Sequence, residues 1–239
     1  MVKILLGSII TGLTNLFSDL TILGIVLALV FSAIWLIAFW PPLFKKPWTW
    51  AVLVGSTILA YIAFAAIGYP LRFMLGSLVT SVSGIMIAGF IIALISGLVA
   101  VGFKLIPVVI YRRRIGKPID PKLGLAIGAV AGVGSGFLIS MAALNQAYIS
   151  STVNFVEIWR DFLFVALHIS TMAIAGYGVF KARGWRFWLL TSLLFSLTIY
   201  YPYLVLTISS ILTQVLLTIL AVAVAGVALW LRWRKAPSE

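Results

Sequence analysis

Cysteine is absent from the 239-residue chain and histidine occurs once, so the side chains that most often bind transition metals are nearly missing. Without cysteine, the chain forms neither a disulfide bond nor a thiolate metal site. Carboxylates are also scarce, and each lies near the end of an apolar run, in a connection or at a terminus. They are Asp19, Asp120, Glu157, Asp161 and Glu239. This scarcity argues against a proton pump, a transporter of charged ligands or an intramembrane hydrolase.

Charge is low throughout, since charged residues make up 9% of the chain and apolar residues 63%. A helix needs about 20 apolar residues to cross a membrane. The sequence predicts an all-α, polytopic transmembrane helical bundle that forms a single membrane domain over residues 1–239. Seven spans are predicted, over residues 20–40, 49–69, 82–111, 121–143, 156–180, 185–201 and 203–231.

The net charge of +12 is distributed by membrane side. Thirteen of the 17 basic residues fall in alternate connections and at the C-terminus, and three fall on the opposite side. This positive-inside pattern predicts an outside N-terminus and a cytoplasmic C-terminus. We expect an integral protein of a prokaryotic cytoplasmic membrane, with membrane lipid as a partner and no nucleic acid.

Residues 1–18 begin with Lys3 and a short apolar stretch, and Asp19 follows before a full span. Apolar residues recur there at helical spacing. The segment is therefore predicted to be an amphipathic helix at the outer interface rather than a signal peptide.

The fourth span carries glycine at every fourth position. It opens with Asp120 and Pro121, a helix cap followed by proline at the first helical position. The glycines are Gly124, Gly128, Gly132 and Gly136. Steps of four place them on one helix face, which predicts close packing against a neighbouring helix. That neighbour lies either in this chain or in a partner, so we treat the face as a candidate contact surface.

Two ionisable residues, Lys104 and His168, lie within the apolar runs. His168 is either a metal ligand or proton carrier, or a neutral imidazole bonded to a neighbouring helix. We favour the second interpretation because zinc needs three or four protein ligands and no second histidine exists. Lys104 is interpreted as a lysine that extends to the cytoplasmic interface or to a carbonyl at a helix end. The alternative is a lysine that once neutralised a buried carboxylate.

The stretch Leu98–Ser140, which contains Lys104, resembles the PrsW-type intramembrane peptidases, relatives of the CAAX-processing and YhfC-like membrane proteases. That family carries Glu-Glu-x-x-Lys on one span, then a basic loop and a glycine-rich span. Lys104 matches the lysine, and Gly124, Gly128 and Gly134 match the glycines without a gap.

The fifth span continues the resemblance, which then covers residues 98–182. The family has an arginine there, a histidine eight residues later and then Gly-Tyr. Arg160, His168, Gly176 and Tyr177 match these in type and spacing.

The departures fall on the residues that the resemblance marks as catalytic. Ala100 and Val101 replace the glutamates of the first motif. Ile139 replaces the glutamate of the second motif, with Ser140 at the following asparagine. A second family histidine would fall near Phe195. The family needs carboxylates and histidines to hold a metal and activate water, so no catalytic or metal-binding residues and no cofactor are expected here.

The resemblance and its departures together predict a pseudoprotease that binds other membrane proteins or serves as a subunit of a membrane complex. The uncharged connection at residues 145–155 is a second candidate contact surface. One alternative is a small-molecule channel or transporter, with Asn145, Gln146, Ser140, Thr171 and His168 lining a polar cavity. The other is an intramembrane metalloprotease with unusual ligands.

Compartment-sensitive reporters fused to the two termini should report opposite sides of the membrane, with the N-terminus outside. This follows from an odd number of spans and from the distribution of basic residues. Reporters that placed both ends on one side would contradict the count of seven spans.

Overall fold

The computed structural model describes residues 20–39, 41, 46–68, 70–71, 74, 81–116, 120–206 and 208–234. Helices account for all regular secondary structure in these residues. The amphipathic helix predicted for residues 1–18 lies outside the described part of the chain.

Within the described residues, seven helices are long and apolar enough to span a membrane, which confirms the all-α prediction and the number of spans. They are α1 (Ile22–Phe39), α2 (Trp48–Ala63, continued by a π-helical turn over Phe64–Gly68), α3 (Val82–Ile115), α4 (Pro121–Ile149), α5 (Phe155–Phe180), α6 (Gly184–Val205) and α7 (Ser210–Trp233). We call the end of the bundle with the α4–α5 connection the outer end, following the predicted topology.

Several predicted boundaries were wrong because the apolar run is shorter than the helix. α3 continues to Ile115 and α4 to Ile149, since arginines and amides can occupy a helix end at headgroup level. The break between the last two spans was predicted at residue 202. Pro202 instead lies inside α6, which ends at Val205.

Helix starts follow the capping signals of the sequence. The Asp120 side chain accepts a hydrogen bond from the Lys122 backbone N–H at 2.9 Å, with Pro121 at the first helical position, as predicted. The Asn154 side chain caps α5 in the same way by accepting from Glu157 N–H at 3.0 Å. These caps satisfy backbone donors that the first helical turn leaves free.

Two central helices form the core and five others surround them. In their most apolar stretches, α4 and α5 are 78% and 83% buried. The corresponding stretches of the other five spans are 28–33% buried. α1 is attached at its outer end, where Asn145 of α4 accepts a hydrogen bond from the Thr21 N–H at 3.0 Å. The bundle therefore depends on the pairing of α4 with α5.

The glycine face of α4 makes that pairing. A Cβ atom on Gly124 would lie 2.5 Å from Phe180 Cβ, and one on Gly132 would lie 2.7 Å from Ile169 Cα. These contacts run in opposite directions along the two helices, so α4 and α5 are antiparallel. The glycine face packs closely against α5 of the same chain. It is therefore covered within the bundle and is not a surface for a partner.

Gly132→Leu should lower the stability of the bundle by about 1–3 kcal/mol, because overpacking forces the two central helices apart. Thermal unfolding in detergent measures the effect. Gly226→Leu is the matched control, since a Cβ at Gly226 meets no atom within 4 Å. Equal unfolding temperatures for the two variants would contradict the packing argument.

Candidate functional site

Lys104 is enclosed by the bundle, so the prediction that it extends to the membrane interface was wrong. Lys104 is 2% exposed. α3 continues to Ile115, which places Lys104 about 16 Å below that helix end at about 1.5 Å per residue. The side chain points toward the central helices rather than along α3. Ser56 of α2 donates to the Lys104 backbone carbonyl at 2.9 Å and fixes this part of α3.

The lysine and the histidine meet directly. Lys104 Nζ lies 3.1 Å from His168 Nδ1, and Ser135 Oγ lies 3.1 Å from the same nitrogen. The Gly132 carbonyl oxygen also lies 3.1 Å from Ser135 Oγ, so the single hydroxyl proton of Ser135 is shared between that oxygen and Nδ1. The prediction that His168 bonds a neighbouring-helix hydroxyl is confirmed, since Ser135 belongs to α4.

Phe195 of α6 completes this group. Its ring meets the His168 ring edge to face, with 4.7 Å between the centroids and an interplanar angle of 88°. Lys104 Nζ lies 4.3 Å from the centroid of the same ring, a distance typical of a cation–π contact. We call Lys104, Ser135, His168 and Phe195 the central cluster. It joins four helices, α3 to α6, in the middle of the bundle.

The cluster favours one hydrogen-bonding state of the imidazole. When Lys104 is charged, its ammonium group can only donate, so His168 Nδ1 accepts from it and the ring proton lies on Nε2. The Nδ1 lone pair is then used inside the protein. Burying an ammonium is costly unless it gains partners, and the imidazole and the Phe195 ring provide them. The arrangement links α3, α4, α5 and α6 to one another.

The metal that the resemblance implies does not fit these residues. A catalytic zinc takes three protein ligands, and no three His, Cys, Asp or Glu side chains come together in the described ranges. A lysine on His168 Nδ1 would also repel a cation. The donor set of the central cluster therefore does not suit a catalytic metal.

Arg160, the third residue shared with the family, lies two turns from the cluster. It forms an ion pair with Glu157 and a second one with Asp161, where Nε lies 3.3 Å from Oδ1. Asp161 is 0% exposed, and no described residue bonds its Oδ2. Asp161 lies six residues after the start of α5 at Phe155, near the end of the span as predicted, and it is buried there.

The positions where the family has carboxylates differ in their exposure. Val101 is fully buried one turn before Lys104. Ile139 is 48% exposed on α4, and the adjacent Ser140 is buried. Phe195, near which the second family histidine would fall, does contact His168. The structure brings together Lys104, His168 and the Phe195 position, but not Arg160 or Ile139.

Comparison of the chain with family models, with curated proteins and with solved structures finds no match to any of them. The resemblance to PrsW-type peptidases therefore rests on the residue pattern given above.

Sequence reasoning missed Ser135 as a member of the cluster. Ser135 follows Gly132 by three residues, so it lies beside the glycine face on the side of α4 that meets α5. A polar residue flanking a tightly packed face was the available signal. The direct contact between Lys104 and His168 had none, since the two residues belong to different spans.

His168→Phe should destabilise the protein more than Lys104→Met does. The first change leaves a buried ammonium without its acceptor, which costs about 1–3 kcal/mol or more. The second removes the charge together with its need for a partner. Thermal unfolding in detergent gives the comparison, with Lys46→Met as the control because Lys46 is exposed.

In the Lys104→Met background, His168→Phe should cost less than in the original chain, with a coupling of about 0.5–3 kcal/mol. An identical cost in both backgrounds would show that the two side chains do not interact.

Proposed function

We propose that the chain is a non-catalytic, PrsW-like integral membrane protein that binds or scaffolds other membrane proteins as a subunit of a larger complex. One observation carries the proposal. Ile139 stands where the resembling peptidases have the glutamate of their second motif, and it is 48% exposed on a helix whose most apolar stretch is 78% buried. A segment approaching through the membrane can reach this position, where it meets a hydrocarbon side chain instead of a carboxylate.

The exposure of Ile139 has a structural reason. Ile139 follows Gly132 by seven residues, so both lie on the same side of α4. At Gly132 the helix touches α5, and an added Cβ would lie 2.7 Å from Ile169 Cα. At Gly136 there is more room, with 3.2 Å to His168 Cβ and 3.6 Å to Val165 Cα. The contact between the two helices therefore loosens from Gly132 to Gly136, toward the outer end.

Such separation is expected of this packing type. Crossings of about −40° are common at small residues spaced by four, and helices at such an angle diverge on either side of the crossing. The outer half of α4 then presents Ile139 to the membrane. The α4–α5 connection lies at the same end, and Tyr148 and Phe155 beside it are exposed. This connection remains a candidate contact surface, together with the surface around Ile139.

The central cluster supports the non-catalytic part of the proposal. Lys104 occupies the Nδ1 nitrogen of His168, and Phe195 covers the ring. The transporter alternative requires a polar cavity beside His168, and these side chains fill that space. The metalloprotease alternative requires ligands that the cluster does not provide.

A photoreactive amino acid at position 139 should crosslink to a membrane protein when the tagged chain is purified from its native membrane. The proposal places a partner segment against this side of α4. A photoreactive residue at position 58 is the control, because Ile58 is 53% exposed on peripheral α2. Mass spectrometry of the crosslinked species identifies the partner.

Crosslinks to lipid alone at both positions would contradict the partner-binding role. The absence of catalysis would be contradicted if protein purified without chelators contained stoichiometric zinc and cleaved a membrane substrate, and if His168→Ala lost both the zinc and the cleavage.

A further inference from the structure

A groove opens between α3 and α6 at the basic end of the bundle, opposite the outer end. Its volume is about 360 Å³. Gly102, Leu105 and Val109 of α3 line one wall, and Trp188 of α6 lines the other. The groove therefore has an apolar floor, and it lies on the periphery of the bundle, where membrane lipid is the neighbour.

The shape of the groove follows from the way α3 and α6 pack. At Gly97 the helices are in close contact, and an added Cβ would lie 2.8 Å from the Ser192 carbonyl oxygen. Toward the basic end the gap is spanned by the large Trp188 ring. Its Nε1 donates to the Leu98 carbonyl at 3.3 Å, which holds the indole across the groove. Gly102 leaves room for the ring, since a Cβ there would already lie 3.3 Å from Nε1.

Cations border the groove where it reaches the membrane surface. Arg112 lines it directly, and Trp185 on the opposite side is stacked with Arg186, whose Cζ lies 5.4 Å from the ring centroid. Among the described residues, no carboxylate pairs with either arginine. Asp120, the carboxylate described at this end, caps α4.

The start of α6 adds hydrogen-bond donors to this rim. Gly184 lines the groove, and the helix begins there without a side-chain cap, so its first backbone N–H groups are left for another acceptor. Positive charge and free donors suit a phosphate group. An apolar floor below them suits an acyl chain.

We propose that this groove binds one anionic phospholipid, with its phosphate between Arg112 and Arg186 and an acyl chain along Leu105, Val109 and Trp188. The two arginines favour an anionic headgroup by charge complementarity. The groove lies on a membrane-spanning surface, which favours a lipid over a soluble phosphate. Basic sites between transmembrane helices bind anionic headgroups by the same physics.

The test uses purified full-length protein in detergent with phosphatidylglycerol or phosphatidylcholine of identical acyl chains. Native mass spectrometry should show one phosphatidylglycerol retained in preference to phosphatidylcholine, with a matching rise in unfolding temperature. Arg112→Gln should weaken this preference about five-fold, the contribution of one basic residue near an anionic lipid. Inorganic phosphate at the same concentration should give no such stabilisation.

Arg113→Gln is the matched control, because Arg113 is exposed on the same helix and does not line the groove. It should keep the preference. Val109→Phe provides a second variant that fills the groove while leaving both arginines, and it should reduce retention of phosphatidylglycerol. Equal retention of the two lipids would overturn the proposal. So would equal losses in Arg112→Gln and Arg113→Gln, which would indicate general attraction to the basic face.

Discussion

The contact between α4 and α5 is the constraint on which the rest of this bundle depends. Lipid chains are as apolar as the side chains they surround, so burial from water does not drive these helices together. Close backbone approach does, and it requires residues without side chains. Gly128 and Gly176 face each other, and a Cβ on Gly128 would lie 3.0 Å from Gly176 Cα. The other five helices pack around the surface that this pair creates.

The central cluster lies beside this contact and depends on it. Gly132 brings α5 near enough for His168 to meet Ser135 of α4, and α3 then delivers Lys104 to the same nitrogen. A group of this kind specifies one arrangement of four helices, because sliding any of them would leave a buried ammonium without partners. The residues in which the chain resembles a peptidase centre form a structural element that fixes helix register.

The sequence was sufficient for the class of fold and for most spans, because apolar runs and basic connections are local signals. It was insufficient wherever the outcome depended on which way a residue faces. The depth of Lys104 in the membrane can be counted along α3, but the direction of its side chain is set by packing against α5. Asp161 lies near the start of α5, as the sequence indicates, but its burial results from neighbours elsewhere in the chain. Phe195 could be located only through the family resemblance.

The attachment of α1 to Asn145 has a consequence for how the protein is made. Thr21 and Asn145 are 124 residues apart, and ribosomes add about 5–20 residues per second. From synthesis of α1 to synthesis of its docking site, about 6–25 s must therefore pass. During that interval α1 is held in the bilayer by its own apolar surface, and it has the highest mean hydropathy of the seven spans. α4 and α5 are less apolar than α1, but they are consecutive in the chain. α4 therefore waits only for the synthesis of one short connection and of α5 before it can pair.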